Sequence, residues 1–269
     1  MTSATPSAMS SAVPSGVIDF TTEGRIGLIT INRPEARNAV NGEVAAGLEA
    51  AIDRLEADDD LWVGILTGAG PVFCAGADLK AINAGEAASL ATKRGGFAGF
   101  VQREREKPVI AAVNGPALAG GCELVLACDL AVAARDTRFG VPEVKRSLVA
   151  AAGALFRLPR KLPINLALEM VMTGEPIDAE RAHHFGLVNR LTDPGQAVEG
   201  ARQLAEAICA NAPIAVRESR KVLLATLGVD EEAGWRLSGQ AFAAAMSTED
   251  FLEGPRAFIE KREPQWKGR

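Results

Sequence analysis

Two glutamates lie in sequence contexts that favour acid–base chemistry. Glu123 belongs to an otherwise apolar run at residues 122–128, where a carboxylate is costly unless it is paired or used. Glu143 directly follows Pro142, as in the first turn of many helices. Taken singly, each is equally consistent with a structural role, Glu143 as a helix cap and Glu123 as the partner of an arginine. Two converging carboxyls would supply the acid and base that move protons at a carbon next to a carbonyl.

Two glycine-containing turns could hold the carbonyl oxygen in such a reaction. The first covers residues 73–80, and the second, at 114–124, directly follows a predicted strand. Small residues let a ligand approach the main chain, and the first amides of a helix have unpaired N–H groups at the positive end of the helix dipole. One such turn is more simply explained by close packing of a helix on a strand. A pair of them predicts two amides that share one developing oxyanion.

An α/β framework must position these turns and glutamates. Val44, Leu48, Ile52 and Leu55 recur at intervals of three and four, which predicts an amphipathic helix over Gly42–Ala57. Short apolar or β-branched segments bounded by Gly, Asn or Pro predict strands at residues 17–20, 25–31, 62–67 and 109–113.

Beyond about residue 160 the sequence predicts a series of consecutive helices, with one short strand at 187–191. The helices predicted at 215–227 and 233–246 have wide apolar faces, which suit docking on a core or on another subunit. Residues 1–15 are almost entirely Ser, Thr, Ala, Pro and Met, so little large apolar surface is available to offset the entropy of ordering. We therefore expect a disordered tail there.

Composition argues against several classes of function. With 29 Lys and Arg against 34 Asp and Glu, the net charge is −5, so no basic excess can neutralise nucleic-acid phosphates or anionic lipid. The four cysteines form no CxxC pair, and the adjacent His183 and His184 point in different directions on a helix, so no metal site is predicted. The first basic residue is Arg25 and no apolar run approaches the roughly 18 residues of a membrane span, which favours a cytoplasmic protein.

Motifs along most of the chain resemble those of the crotonase, or enoyl-CoA hydratase, superfamily. Each motif is weak alone, but their number and order are highly specific. They lie at residues 32–36, 38–39, 75–79, 107–115, 120–124, 139–143, 172–175, 182–188 and 258–262.

The resemblance implies an α/β crotonase fold. Its core, over residues 16–200, would be a spiral of ββα units, and residues 201–269 would form a C-terminal helical segment that packs in trimers, often paired into hexamers. The implied substrate is an acyl-CoA thioester, to which the enzyme adds water, or from which it removes water, across the C2–C3 bond. No cofactor is implied, because coenzyme A is part of the substrate.

The resemblance also implies a role for each matching residue. The amides of Ala77 and Gly120 would polarise the thioester carbonyl, Glu123 would help activate the water that attacks C3, and Glu143 would exchange the proton at C2. Phe258 and Lys261 would reach the adenine and phosphate of coenzyme A from a neighbouring subunit. The other implied contacts with coenzyme A and substrate are Ala36, Ala75, Asp78, Leu79 and Lys80.

The chain departs from the typical hydratase pattern after Glu143. There the family often has Pro-Gly followed by Gly-Gly, whereas residues 147–154 of this chain include Ala150 and Ala151. The added methyl groups would narrow the space over the site. Similar departures occur in members that resemble carnitinyl-CoA dehydratase, so the acyl group is not specified. Residues 81–106, expected to shape the acyl pocket, have no pattern that predicts their structure.

Four alternatives to a hydratase stay open. An enoyl-CoA isomerase needs only one of the two glutamates, and a non-catalytic acyl-CoA-binding protein would suit the altered segment after Glu143. RNA binding, a side activity of some members, has little electrostatic support at a net charge of −5. A serine protease that shares the spiral core would need a serine where Cys122 and Glu123 stand.

Overall fold

Strands and helices alternate through the first half of the chain, and helices dominate the second. The computed structural model describes residues 16–269, and the tail predicted at 1–15 lies outside the described residues. The strands are β1 (Ile18–Glu23), β2 (Ile26–Ile31), β3 (Val63–Gly68), β4 (Ala91–Thr92), β5 (Gly96–Phe97), β6 (Val109–Val113), β7 (Ala117–Leu118), β8 (Leu130–Ala134), β9 (Arg138–Gly140), β10 (Ile177–Asp178) and β11 (Arg190–Thr192). The α-helices are α1 (Gly42–Ala57), α2 (Leu79–Asn83), α3 (Gly120–Ala127), α4 (Ala154–Lys161), α5 (Ile164–Thr173), α6 (Ala179–His184), α7 (Ala197–Cys209), α8 (Pro213–Ala225), α9 (Glu231–Met246) and α10 (Asp250–Glu260).

The core of residues 16–269 is a six-stranded sheet in the order β1-β2-β3-β6-β8-β11. Apart from the antiparallel pair β1 and β2, its neighbouring strands run parallel. Every residue of β3 and β6 is buried, as expected for a parallel sheet that is covered on both faces. Successive residues point to opposite faces, so Ile65 and Ile110 join one hydrophobic cluster while Leu66 and Ala111 join the other.

Helices cover both faces of this sheet. On one face, Ala201 and Ala205 of α7 are buried in the same cluster as Ile65. On the other face, α1 contributes Leu48 and Ile52 to the larger cluster. The boundary predicted between residues 200 and 201 falls inside α7, and the division of the chain at that point stays a prediction.

A smaller sheet, in the order β10-β9-β7, brings the two glutamate-bearing segments together. Strands β7 and β9 pair in parallel, with Leu118 opposite Gly140. Helix α3 begins two residues after β7, and a short 3-10 helix, Pro142–Arg146, begins two residues after β9. Because the carboxyl ends of parallel strands lie at the same edge, Glu123 and Glu143 are delivered to the same side of this sheet.

The regular elements agree closely with the sequence patterns. Helix α1 and strand β6 have the predicted bounds, and the other predicted elements differ from the observed ones by a few residues at their ends. The strand predicted at 187–191 is β11, which begins later, at Arg190. Strands β8 and β9 carried no prediction: β8 is alanine-rich and β9 has only three residues, so neither shows a clear strand pattern.

The C-terminal helices expose much apolar surface in the single chain. None of the 16 residues of α9 is buried, although the helix includes Trp235, Phe242 and Met246. Leu223 and Leu224 of the preceding helix α8, against which α9 packs, are also exposed. In residues 16–269 no helix is both long enough and apolar enough to cross a membrane.

Candidate active site

The two glycine turns lie side by side. Cys74, in the first turn, forms a bridge with Ala117, and its carbonyl oxygen accepts a hydrogen bond of 3.0 Å from Leu118 N. Gly76 packs so closely against the second turn that an added Cβ would be 2.9 Å from the amide nitrogen of Gly120. A glycine at position 76 therefore avoids a collision with the Gly120 amide.

The Ala77 amide is held in place by its neighbours on both sides. Val40 N donates to Gly76 O, and Asp78 N donates to Val40 O, each at 2.8 Å. These two bonds fix the peptides that flank Ala77, while Ala77 N itself has no hydrogen-bond acceptor within residues 16–269. The structure thus presents a free N–H in a fixed orientation.

A strained turn precedes the Gly120 amide. Ala119 has φ 51° and ψ −129°, a combination that residues with a side chain rarely adopt, and its N–H donates to Gly140 O at 2.9 Å. Helix α3 starts at the next residue, so Gly120 N lies at the positive end of the helix dipole. Like Ala77 N, Gly120 N finds no acceptor in the described chain.

Glu123 is almost fully buried in the first turn of α3, with 3% of its surface exposed. Its Oε1 accepts a hydrogen bond of 3.0 Å from Ala154 N, at the start of α4. Burial raises the pKa of this carboxyl to about 7, and the nearby Glu143 acts in the same direction. Hydrogen bonds from the amides of Ala154 and Ala152, together with the Arg157 guanidinium, oppose that rise.

Glu143 lies in the 3-10 helix Pro142–Arg146 and is half-buried. Burial raises the pKa of its carboxyl, and Arg146 partly opposes this effect. Its Oε2 is buried and has no hydrogen-bond partner in the part of the chain that the structure describes. A buried, unpartnered carboxyl oxygen is costly and is typical of a group that is satisfied by a substrate or water.

Five predicted contacts with coenzyme A lie in the first glycine turn or beside it. Asp78 caps α2 by accepting from Lys80 N at 3.0 Å, and its Oδ2 lies 3.2 Å from Nη2 of Arg33. The exposed Leu79 and Lys80 begin that helix. The remaining two lie close to the same arginine-bearing loop, Ala36 in the 3-10 helix Pro34–Ala36 and Ala75 donating to Arg37 O at 3.1 Å.

Phe258 and Lys261 lie elsewhere in the fold. They stand at the C-terminal end of α10, with exposed side chains, and Phe258 is 86% exposed. The described packing of α10 is against α9 and the C-terminal residues of the chain. A role for these two residues at the site of the same chain therefore has no support, and their contribution from a neighbouring subunit stays a prediction.

The sequence assigned no role to three further residues at the site, although Arg33 lies within the motif at residues 32–36. Arg33 ties the loop before α1 to Asp78, Arg157 lies beside Glu123, and the ring of Phe97 lies against Gly120. A hint of the last was present in the glycines at 95, 96 and 99, which indicate tight backbone packing around the aromatic residue. Among the described residues, no group of three or more His, Cys, Asp or Glu could hold a metal ion.

Two free amides beside one buried and one half-buried carboxyl, on a parallel α/β framework, define a class of site that polarises a carbonyl group and moves protons next to it. The sequence pattern of the enoyl-CoA hydratase/isomerase family matches residues 21–269, and the chain belongs to that family. The family and the α/β crotonase fold predicted from the sequence are thereby confirmed.

Relatives and solved structures agree with this membership. The chain is 42% identical over 258 residues to a carnitinyl-CoA dehydratase of Salmonella typhimurium, covering 94% of this chain and 98% of the relative. An enoyl-CoA hydratase from Mycobacterium tuberculosis H37Rv superposes with a TM-score of 0.91 at 46% identity, covering 95% of this chain and all of that one. A carnitinyl-CoA hydratase from Mycobacterium avium gives a TM-score of 0.75 at 44% identity, with the same coverage.

Proposed function

We propose that the protein is a hydro-lyase that adds water to, or removes water from, the C2–C3 bond of an acyl-CoA thioester. The observation that carries this proposal is the placement of two carboxyls with raised pKa values, Glu123 and Glu143, next to two unpartnered backbone amides. The named activities of the relatives, hydratase and dehydratase, are the two directions of one reaction. The enzyme lowers the same barrier for both directions.

The amides of Ala77 and Gly120 would bind the thioester carbonyl oxygen. When a nucleophile adds at C3, electrons move through C2 to this oxygen, and its negative charge is stabilised by the two N–H groups. Removing one such donor typically costs about 10² to 10³ in rate. The fixed peptides around Ala77 and the strained turn at Ala119 keep both donors oriented before substrate arrives.

The two glutamates would divide the proton transfers. In hydration, deprotonated Glu123 takes a proton from water while the water oxygen bonds to C3 and the C2–C3 π bond breaks. Protonated Glu143 then supplies the proton that bonds to C2. Since a carboxyl near pH 7 must be able both to hold and to lose a proton, the raised pKa values suit this exchange.

The coenzyme A part of the substrate would lie along the surface formed by Ala36, Ala75 and the start of α2. There Lys80 supplies an exposed cation that suits a phosphate group, and Leu79 is 53% exposed. No additional cofactor belongs to this proposal. Phe258 and Lys261 would complete the site from a second copy of the chain, in a trimer or hexamer whose formation would cover the exposed apolar face of α9.

The proposed function is tested by assaying purified protein against a panel of enoyl-CoA thioesters of different chain length and branching, starting with crotonyl-CoA. Loss of the conjugated enoyl thioester absorbance reports hydration, and mass spectrometry identifies the 3-hydroxyacyl product. Movement of the double bond without uptake of water would identify an isomerase instead. Tight binding of the thioesters without any turnover would identify a non-catalytic acyl-CoA-binding protein.

A further inference from the structure

Arg157, in the first turn of α4, connects two loops that each reach a different part of the site. Its Nη2 donates to the carbonyl oxygen of Val101 at 2.6 Å. Its Nη1 donates at 3.4 Å to the carbonyl oxygen of Ala152, a weaker bond. Ala152 belongs to the turn that leads into α4, and the next helix residue after that turn, Ala154, donates to Glu123. One guanidinium therefore contacts the turn that holds the buried carboxylate.

The other loop leads to the oxyanion turn. Val101 N donates to Phe97 O at 3.3 Å, and the Phe97 ring lies against Gly120. Arg157 thus joins, through Val101 and Phe97, the loop beside the Gly120 amide to the turn beside Glu123. A planar guanidinium with several fixed donors suits this double contact better than a lysine ammonium does.

Gly153 provides the space that this arrangement needs. It has φ +119°, in the region that favours glycine, and an added Cβ would overlap Nη1 of Arg157. A glycine at position 153 is therefore required both by the backbone conformation and by the close approach of the Arg157 guanidinium.

The positive charge of Arg157 also lowers the pKa of the Glu123 carboxyl, although the two groups form no ion pair within 4 Å in the described residues. The other titratable groups coupled to this carboxyl are Glu143, from the 3-10 helix, and the buried Cys122, on its own helix α3. Arg157 and Glu143 act on the Glu123 carboxyl in opposite directions, because one is a cation and the other an acid.

We propose that Arg157 is a positioning residue for the proton-transfer chemistry, because it clamps the Ala152 turn to the Val101 loop and holds a cation next to the Glu123 carboxylate. The proposal rests on the proposed function, since it assigns to Glu123 the role of the base. The two effects of Arg157 can be tested separately. The hydrogen bonds of the guanidinium hold the Ala152 turn and the Val101 loop in place, and its positive charge favours the deprotonated form of Glu123.

The test compares Arg157→Met, which removes both the guanidinium hydrogen bonds and the positive charge, with Arg157→Lys, which keeps the charge but not the guanidinium. In the Met variant we expect kcat for hydration to fall, by up to about 10²-fold for a displaced catalytic group, while KM stays within a few-fold. We also expect the low-pH limb of kcat/KM to move to higher pH. In the Lys variant that limb should return towards its original position while kcat stays reduced. The matched control is Arg160→Met, on the exposed side of the same helix.

A purely structural role would lower thermal stability without moving the pH limb, and that result overturns the proposal. Unchanged kcat and pH profile in a folded Met variant also overturn it. If the Met variant does not fold, the Lys variant decides, because wild-type kcat would show that the guanidinium hydrogen bonds are not needed. An NMR titration of the Glu123 carboxyl in free protein measures the charge effect without turnover. It therefore separates failure of this proposal from failure of the proposed function.

Discussion

The ring of Phe97 lies against the backbone of Gly120: a Cβ built on Gly120 would be 2.5 Å from Phe97 Cε1 and 2.6 Å from Cζ. Such separations are too short for carbon atoms, so no side chain fits at position 120 while the ring stays in place. The proposed oxyanion donor is thus covered on one side by an aromatic ring from the loop that also contacts Arg157 through Val101.

This contact predicts strong coupling between positions 97 and 120. Gly120→Ala should destabilise the protein because the new methyl group displaces the ring, at a cost of about 1–3 kcal/mol. In a Phe97→Ala background the same change should cost much less, since the space is then open. A double-mutant cycle by urea denaturation should give a coupling energy of about 1 kcal/mol or more. Additive effects of the two substitutions would contradict the contact.

Replacing either glutamate should affect catalysis far more than binding. Glu123→Gln and Glu143→Gln preserve the shape of the side chain but remove its ionisable carboxyl group, so each should lower kcat for hydration by about 10² to 10⁴-fold. Binding of the CoA thioester, measured by calorimetry, should stay largely intact. Near wild-type activity after either substitution would refute the two-carboxylate assignment, and loss of activity with Glu143→Gln alone would favour an isomerase.

The stability of the protein should depend on the ionisation of Glu123. Its pKa is raised from 4.5 to about 7, so between these two pH values the folded chain binds more protons at this site than the unfolded chain does. Folding stability contributed by this group therefore falls as pH rises from about 4.5 to about 7. Relative to wild type, Glu123→Gln should gain stability as pH rises from about 4.5 to about 7, by on the order of 3 kcal/mol at most. A pH-independent difference in unfolding free energy would contradict the burial-driven shift.

Short sequence patterns predicted those features of the structure that depend on residues close together in the sequence. The apolar run around Glu123 and the helical spacing of α1 are both visible in short windows, because burial and periodicity leave a direct signature in composition. The contacts of Gly120 with Phe97, and of Arg157 with Val101 and Ala152, join residues that are far apart in sequence. Their partners are set by how loops close on the sheet, and this information is spread over the whole chain.

The exposed apolar helices predict self-association. At micromolar concentration light scattering should show a trimer or hexamer, because α9 buries none of its residues within one chain and a contact with another copy would cover them. Phe242→Glu, which replaces a ring that is 61% exposed with a charged side chain, should shift the protein towards monomers or smaller oligomers. As a control, Glu232→Gln changes a residue in the first turn of the same helix without touching its apolar side chains. A monodisperse monomer would remove the proposed role of Phe258 and Lys261.

The oxyanion hole calls for a test in which only an N–H group is removed. Gly120 is the first residue of α3, a position where proline is well tolerated by a helix, and proline lacks the amide hydrogen. Because the Phe97 ring excludes any Cβ at position 120, the proline should be introduced in the Phe97→Ala background. The matched control is Gly120→Ala in that background, which adds a Cβ but keeps the N–H.

Gly121→Ala cannot serve as that control, because its Cβ would overlap the carbonyl oxygen of Cys74. We expect the Pro variant to hydrate its substrate about 10² to 10³-fold more slowly than the Ala variant. Circular dichroism should show that both variants are folded, and light scattering that they have the same oligomeric state. If the two double variants differ by less than a few-fold, Gly120 N is not an oxyanion donor. Ala77 would then lack the second amide with which it is proposed to share the carbonyl oxygen, and the site would need a different electrophilic group.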